Sequence, residues 1–87
     1  MTQPTVTVYT SGWCPYCERA KGLLMQKNVV FGEINVEDDG KFREEMIARS
    51  NRRTVPQIFI GDRHVGGCDD LFELDRSGEL DRLIQGV

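Results

Sequence analysis

The stretch Val6-Thr7-Val8-Tyr9-Thr10-Ser11-Gly12-Trp13-Cys14-Pro15-Tyr16-Cys17, continued through Glu18 to Leu24, decides the fold. Val6 to Thr10 are β-branched or aromatic and predict a strand. Ser11–Gly12 breaks it. Pro15 suits the first turn of a helix, where its missing N–H is no loss. From Tyr16 to Lys27 most residues favour helix. Cys17, Ala20, Leu23 and Leu24 recur at three- and four-residue steps and form one apolar stripe. Gly22 weakens this helix slightly.

Outward from this junction, Asn28 ends the helix, and Val29 to Val36 predicts a second strand. Glu37 to Gly40 is an acidic turn, with Asp39 or Gly40 as the cap of a helix over Lys41 to Ser50. Phe42, Met46 and Ile47 are its core side. Asn51 to Thr54 is a polar link. Val55–Pro56 leads into a strand, Gln57 to Ile60. Gly61–Asp62 then turns the chain into Arg63 to Gly66, and two short apolar segments around such a turn predict a β-hairpin. Asp69 or Asp70 is positioned to cap a helix carrying Leu71, Phe72 and Leu74. Ser77 is positioned to cap a last helix carrying Leu80, Leu83 and Ile84. The order is β-α-β-α-β-β-α, with the final helical stretch interrupted near Gly78. Two strands joined by a helix form a right-handed parallel unit, and the hairpin adds an antiparallel portion. The expected architecture is α/β, one mixed four-stranded sheet flanked by helices, with residues 1–87 as a single domain.

Composition narrows the function. Eighty-seven residues allow one small domain. Fourteen acidic against eleven basic residues give a net charge of -3, which argues against broad nucleic-acid binding. No window approaches the roughly 18 apolar residues of a membrane span. Met1 to Thr5 is polar and lacks the features of a signal peptide. The cysteines number three, an odd and sparse set that fits a reducing compartment, so cytoplasm is the expected location.

Cys14 and Cys17 carry the chemistry. One helical turn brings residues i and i+3 within disulfide reach, about 7 Å between Cα atoms. Cys14 is expected at the helix cap, more exposed than Cys17, facing unpaired N–H groups and the positive end of the helix dipole. Both favour thiolate over thiol, so Cys14 is the expected nucleophile. Cys17, one turn deeper, is placed to attack a mixed disulfide on Cys14 and release the partner reduced. Trp13 and Tyr16 flank the sulfur as an apolar rim. The competing reading is half of a zinc site. Structural zinc takes four ligands, and only His64 and Cys68 remain as soft candidates, without a second close-spaced pair. No metal is expected.

The chain resembles the glutaredoxins of the thioredoxin superfamily, most of all the small bacterial dithiol type. The resemblance spans essentially the whole chain. It rests on Cys14-Pro15-Tyr16-Cys17, on Thr54-Val55-Pro56-Gln57-Ile58-Phe59-Ile60 and on Gly66-Gly67-Cys68-Asp69-Asp70, in that order. It implies a thioredoxin-like fold and glutathione-dependent thiol–disulfide exchange. Glutathione is then the co-substrate, and glutathione reductase with NADPH restores it. Protein disulfides, such as that of ribonucleotide reductase, and glutathionylated proteins are the clients, and the chain acts as a monomer.

The resemblance also implies site roles. The Val55–Pro56 bond is cis, leaving the Val55 N–H and C=O free for the peptide-like backbone of glutathione. The residues alone leave a trans proline equally open. Backbone N–H groups of Cys68 and Asp69, after Gly67, take the γ-glutamyl carboxylate, and the Asp69 carboxylate pairs with the ammonium. Without the family, Gly66–Gly67 is a turn and Asp69 a helix cap. Tyr16, Thr54, Arg52 and Gln57 complete the site, the last two toward the glycyl carboxylate. Arg53 is equally a site cation or a solvated helix-end charge. Many relatives carry lysine three residues before the first cysteine, where this chain has Ser11, which removes one cation near Cys14. Cys68 is expected to be a buried bystander. His64 is expected exposed and without a catalytic role.

A glutaredoxin-shaped protein served by thioredoxin reductase is disfavoured by Pro15–Tyr16 and by Gly67-Cys68-Asp69. An iron–sulfur carrier, bridging a cluster between two chains, is disfavoured by Pro15.

Overall fold

Strand β1 (Val6–Thr10) is the centre of the molecule because both its faces are covered: Val6, Val8, Tyr9 and Thr10 are all buried. A strand with water on neither side reads as a continuous apolar run. It pairs in parallel with β2 (Gly32–Asn35) and antiparallel with β3 (Gln57–Ile60), and β3 pairs antiparallel with β4 (Arg63–Gly66). The sheet order is β2-β1-β3-β4. The helices are α1 (Pro15–Gln26), α2 (Gly40–Ser50), α3 (Cys68–Arg76) and α4 (Glu79–Gln85). This computed structural model describes residues 4–85; most of the polar Met1–Thr5 start lies outside them. The thioredoxin-like α/β arrangement and its element order are those implied by the sequence.

Alternation along the strands sorts the core into two layers. Val6, Val8, Ile58 and Ile60 face α1, α3 and α4, joining Ala20, Leu24, Leu71 and Leu80. Tyr9 and Phe59 face α2 and join Val36 and Met46. A fully buried leucine such as Leu24 contributes ~1.5–3 kcal/mol by leaving water. The stripe on α1 thus anchors the helix whose first turn carries the cysteines.

Three local expectations are corrected. The second strand is shorter than Val29–Val36. Val29 is buried but joins the core from a loop, and Val30 points to solvent. Neither Asp69 nor Asp70 is the cap residue of α3. Gly67 occupies that position, and Asp70, three residues on, reaches back so that its Oδ2 accepts the Gly67 N–H at 2.9 Å. Ser77 ends α3 as well as preceding α4, and its Oγ accepts the Glu79 N–H only at 3.4 Å. Elsewhere Asp39 caps α2, accepting the Lys41 N–H at 2.9 Å, and Asn28 stops α1 in the left-handed region.

The β4–α3 junction is tightly specified. The register jumps from Phe59↔His64 to Ile58↔Gly66, so Val65 is an extra residue, a β-bulge. Gly66 then takes φ +120°, and a Cβ there would collide with the Asp70 side chain. Arg52, from the loop after α2, closes on the same carboxylate, Nη1 to Oδ2 at 3.1 Å.

Two outcomes are expected. Gly66→Ala lowers stability by ~1–3 kcal/mol, read as a lower urea midpoint with unchanged slope. The Gly67 N–H and then the Arg52 guanidinium hold the Asp70 carboxyl below the ordinary carboxylate range. A depressed folded-state pKa gives stability that is present above the unfolded value of about 4 and lost as pH falls through the folded one. Asp70→Asn therefore flattens the acid limb of the stability–pH curve below about pH 4. An unchanged limb would contradict the assignment.

Candidate active site

Cys14 ends the loop from β1 and is the N-cap of α1, in extended conformation. Its Sγ accepts the Cys17 N–H at 3.1 Å, so the sulfur takes the place of a capping oxygen. Pro15 occupies the first helical position, as its fixed φ and missing N–H favour. Cys17, one turn on, is 1% exposed. The two cysteines form a disulfide across Cα atoms 5.1 Å apart. Cys14 is half-buried, and so the more accessible of the two sulfurs, as expected.

The rim is apolar. Trp13 is 87% exposed and Tyr16 56% exposed, the first large side chains a docking molecule would meet. The loop that presents Trp13 is tied down by Glu37, whose Oε1 accepts the Gly12 N–H at 2.6 Å. A side chain at Gly12 would displace that carboxylate. Nothing in the acidic turn around Glu37 signalled this contact. Ser11 is half-buried and supplies no cation, as its identity requires.

Opposite the cysteines lies the turn before β3. The Val55–Pro56 bond is cis, and the Val55 carbonyl oxygen sits 3.9 Å from Cys14 Sγ. Val55 lies beyond the paired register, which ends at Gln57, so the sheet does not use its backbone groups. A cleft of about 230 Å³ runs from Tyr16 past Thr54, Val55 and Pro56 to the start of α3, where Gly67, Cys68 and Asp69 line it. Arg52 and Asp70 close its side as the ion pair described above. Gly67 fits against the Pro56 carbonyl, where an added Cβ would sit at 3.5 Å. Two segments far apart in sequence therefore share one cleft beside the thiol.

Gln57 does not line this cleft. It is fully buried beneath it, donating from Nε2 to the Thr54 carbonyl and accepting at Oε1 from the His64 ring. The expectation of an exposed His64 is corrected: the ring is partly covered, stacks on Phe59 at 4.9 Å and is bonded to Gln57. Burial, followed by the charge of Arg52, lowers its pKa. Arg53 is exposed and does not line the cleft. Cys68 lines the cleft but is only 5% exposed, and burial pushes its thiol pKa up. Burial therefore disfavours the thiolate, the reactive form of a cysteine. Among the described residues no group of three or more His, Cys, Asp or Glu side chains could hold a metal ion. No helix among them is long and apolar enough to cross a membrane.

Comparison with known proteins agrees with this geometry. The glutaredoxin family model matches residues 6–65. The chain is 55% identical over 80 residues to glutaredoxin 3 of Escherichia coli (strain K12), covering 92% of this chain and 96% of that one. Among solved structures, the glutaredoxin of Brucella melitensis is 50% identical at a TM-score of 0.85, covering 97% of this chain and 91% of that one. A buckwheat glutaredoxin–glutathione complex is 29% identical at a TM-score of 0.88, covering 95% of this chain and 78% of that one. The chain belongs to the glutaredoxin family of thiol–disulfide oxidoreductases and carries the cysteine pair of its dithiol members.

Proposed function

We propose that this domain is a glutathione-dependent reductase of protein disulfides and of glutathione mixed disulfides, with Cys14 as nucleophile and Cys17 as resolving thiol. One observation carries the reading. The backbone of Val55, left out of the sheet register, and the start of α3 line a single cleft of tripeptide scale, and the capped sulfur of Cys14 lies at its edge, 3.9 Å from the Val55 carbonyl oxygen.

In the monothiol route the Cys14 thiolate attacks the glutathione sulfur of a glutathionylated client. A Cys14–glutathione disulfide forms and the client thiolate leaves. A second glutathione thiolate then attacks the glutathione sulfur of that disulfide, giving oxidised glutathione and regenerating the Cys14 thiolate. In the dithiol route Cys14 attacks a client disulfide and releases one client thiol. Cys17 loses its proton and attacks Cys14 Sγ. The second client thiol leaves and the Cys14–Cys17 disulfide remains, to be reduced by two glutathione molecules. Glutathione reductase with NADPH recycles the oxidised glutathione.

Glutathione lies with its cysteinyl backbone against the Val55 N–H and C=O, beside Pro56. Its γ-glutamyl carboxylate meets the N–H groups of Cys68 and Asp69 after Gly67, where the helix start favours an anion. The Asp69 carboxylate pairs with the ammonium. Arg52 serves the glycyl carboxylate with the guanidinium donors that Asp70 leaves free, and Tyr16 and Thr54 wall the cleft. Gln57 acts from beneath. Client proteins of the ribonucleotide reductase type fit the dithiol route. A single domain over residues 1–87, a monomeric state and a cytoplasmic location complete the reading.

The test couples the protein to glutathione, glutathione reductase and NADPH with a glutathionylated peptide or a protein disulfide as substrate. The wild type turns over both. Cys14→Ser abolishes both. Cys17→Ser keeps mixed-disulfide turnover and loses most protein-disulfide turnover. No wild-type turnover together with rapid reduction by thioredoxin reductase would overturn the reading. Full dithiol activity in the Cys17 variant would reassign the resolving thiol.

A further inference from the structure

Gln57 is a fully buried polar side chain with no contact to the cleft, and its hydrogen bonds run toward the site. Its Nε2 donates to the Thr54 carbonyl at 2.9 Å and contacts Thr54 Oγ1 at 3.2 Å. A carbonyl oxygen only accepts, so the amide nitrogen must face Thr54, and Oε1 must then face His64. The Oε1–Nε2 distance to the ring is 2.7 Å, so His64 Nε2 carries the proton and donates it. The result is a directed strut, ring to amide to Thr54, ending on the residue before Val55.

The foot of the strut is held on the α2 side of the sheet. The His64 ring lies on Phe59, its ladder partner. Phe59 is packed edge-on by Tyr9 and covered by the Arg49 guanidinium at 4.0 Å from its centroid. Arg49 Nη1 in turn donates to the Tyr9 hydroxyl at 2.9 Å. His64 precedes the Val65 bulge, so it keeps the register of this layer while the chain beyond it shifts toward α3.

We propose that His64 and Gln57 are positioning residues for the glutathione site. They fix the Thr54 carbonyl, and through it the Val55 backbone edge against which the tripeptide pairs. The proposal rests on the glutathione reading above. Neither residue touches the reacting sulfur, so the pair acts on binding and leaves the thiol chemistry alone.

The experiment compares His64→Leu, which cannot donate, with His64→Gln, which can. The readouts are KM and kcat for a glutathionylated peptide, the rate of Cys14 alkylation by iodoacetamide, and the urea midpoint. In His64→Leu the buried Gln57 oxygen loses its partner, and KM rises about five- to ten-fold while kcat and alkylation stay within about two-fold. His64→Gln returns KM to within about two-fold of wild type. If His64→Leu does not fold, His64→Asn, too short to span the gap, is read on the same axes. An unchanged KM in a folded variant, or a parallel fall of kcat and alkylation, would overturn the proposal. So would failure of His64→Gln to restore KM while it is folded. Absence of wild-type turnover with glutathione would instead remove the functional reading on which the proposal stands.

Discussion

The hydrogen bond from the Cys17 N–H to the Cys14 sulfur is the constraint around which the molecule is organised. It makes one sulfur do the work of a helix cap. The donor is one of the N–H groups that a helix start leaves without an internal partner, and the end of the helix dipole adds to it. A thiolate is a better acceptor there than a thiol. The cap works only if α1 begins at residue 15 and stays pressed on the sheet. Pro15 sets the start, and the stripe of Cys17, Ala20, Leu23 and Leu24 secures the helix against β1. Burial of Cys17 on that same stripe leaves Cys14 as the accessible sulfur.

The second half of the site depends on the β3–β4 hairpin. Its leading turn presents Val55 to the sulfur, and its trailing turn presents Gly67, Cys68 and Asp69. The Val65 bulge shifts the register between them, and Gly66 supplies the backbone geometry that only glycine adopts easily. Asp70 joins the two turns, accepting from Gly67 on one side and pairing with Arg52 on the other. Charge at the site is therefore local. The net charge of -3 says little about it, because the Arg52 guanidinium that lines the cleft is already shared with the Asp70 carboxylate.

Much of this was legible in the residues. The β1–α1 junction, the apolar stripe and the hairpin follow from periodicity and turn chemistry, and the cysteine pair from its spacing. The cis bond at Pro56 needed the family resemblance, since local residues allowed either isomer. Other features escaped for physical reasons. Gly67 gives no sign of being the α3 cap because it has no side chain, and the reciprocal Asp70 contact depends on where β4 delivers the chain. Gln57 reads as a contact to the glycyl carboxylate and His64 as exposed, because polar residues on a short strand are more often solvated or at a site than buried. Gln57 is buried and His64 half-covered because the ring lies on Phe59 and bonds the Gln57 amide, a tertiary effect with no trace in local sequence.

The helix start activates Cys14 while the fold shelters Cys17 and Cys68. The pH dependence of iodoacetamide labelling on the fully reduced protein, with the site mapped by mass spectrometry, tests this most directly. Cys14 should be labelled first and alone, at pH values well below the ionisation of a free cysteine, about 8.5. Labelling of Cys17 or Cys68 at a comparable rate would contradict the account. So would a Cys14 rate that rises only as an ordinary thiol ionises.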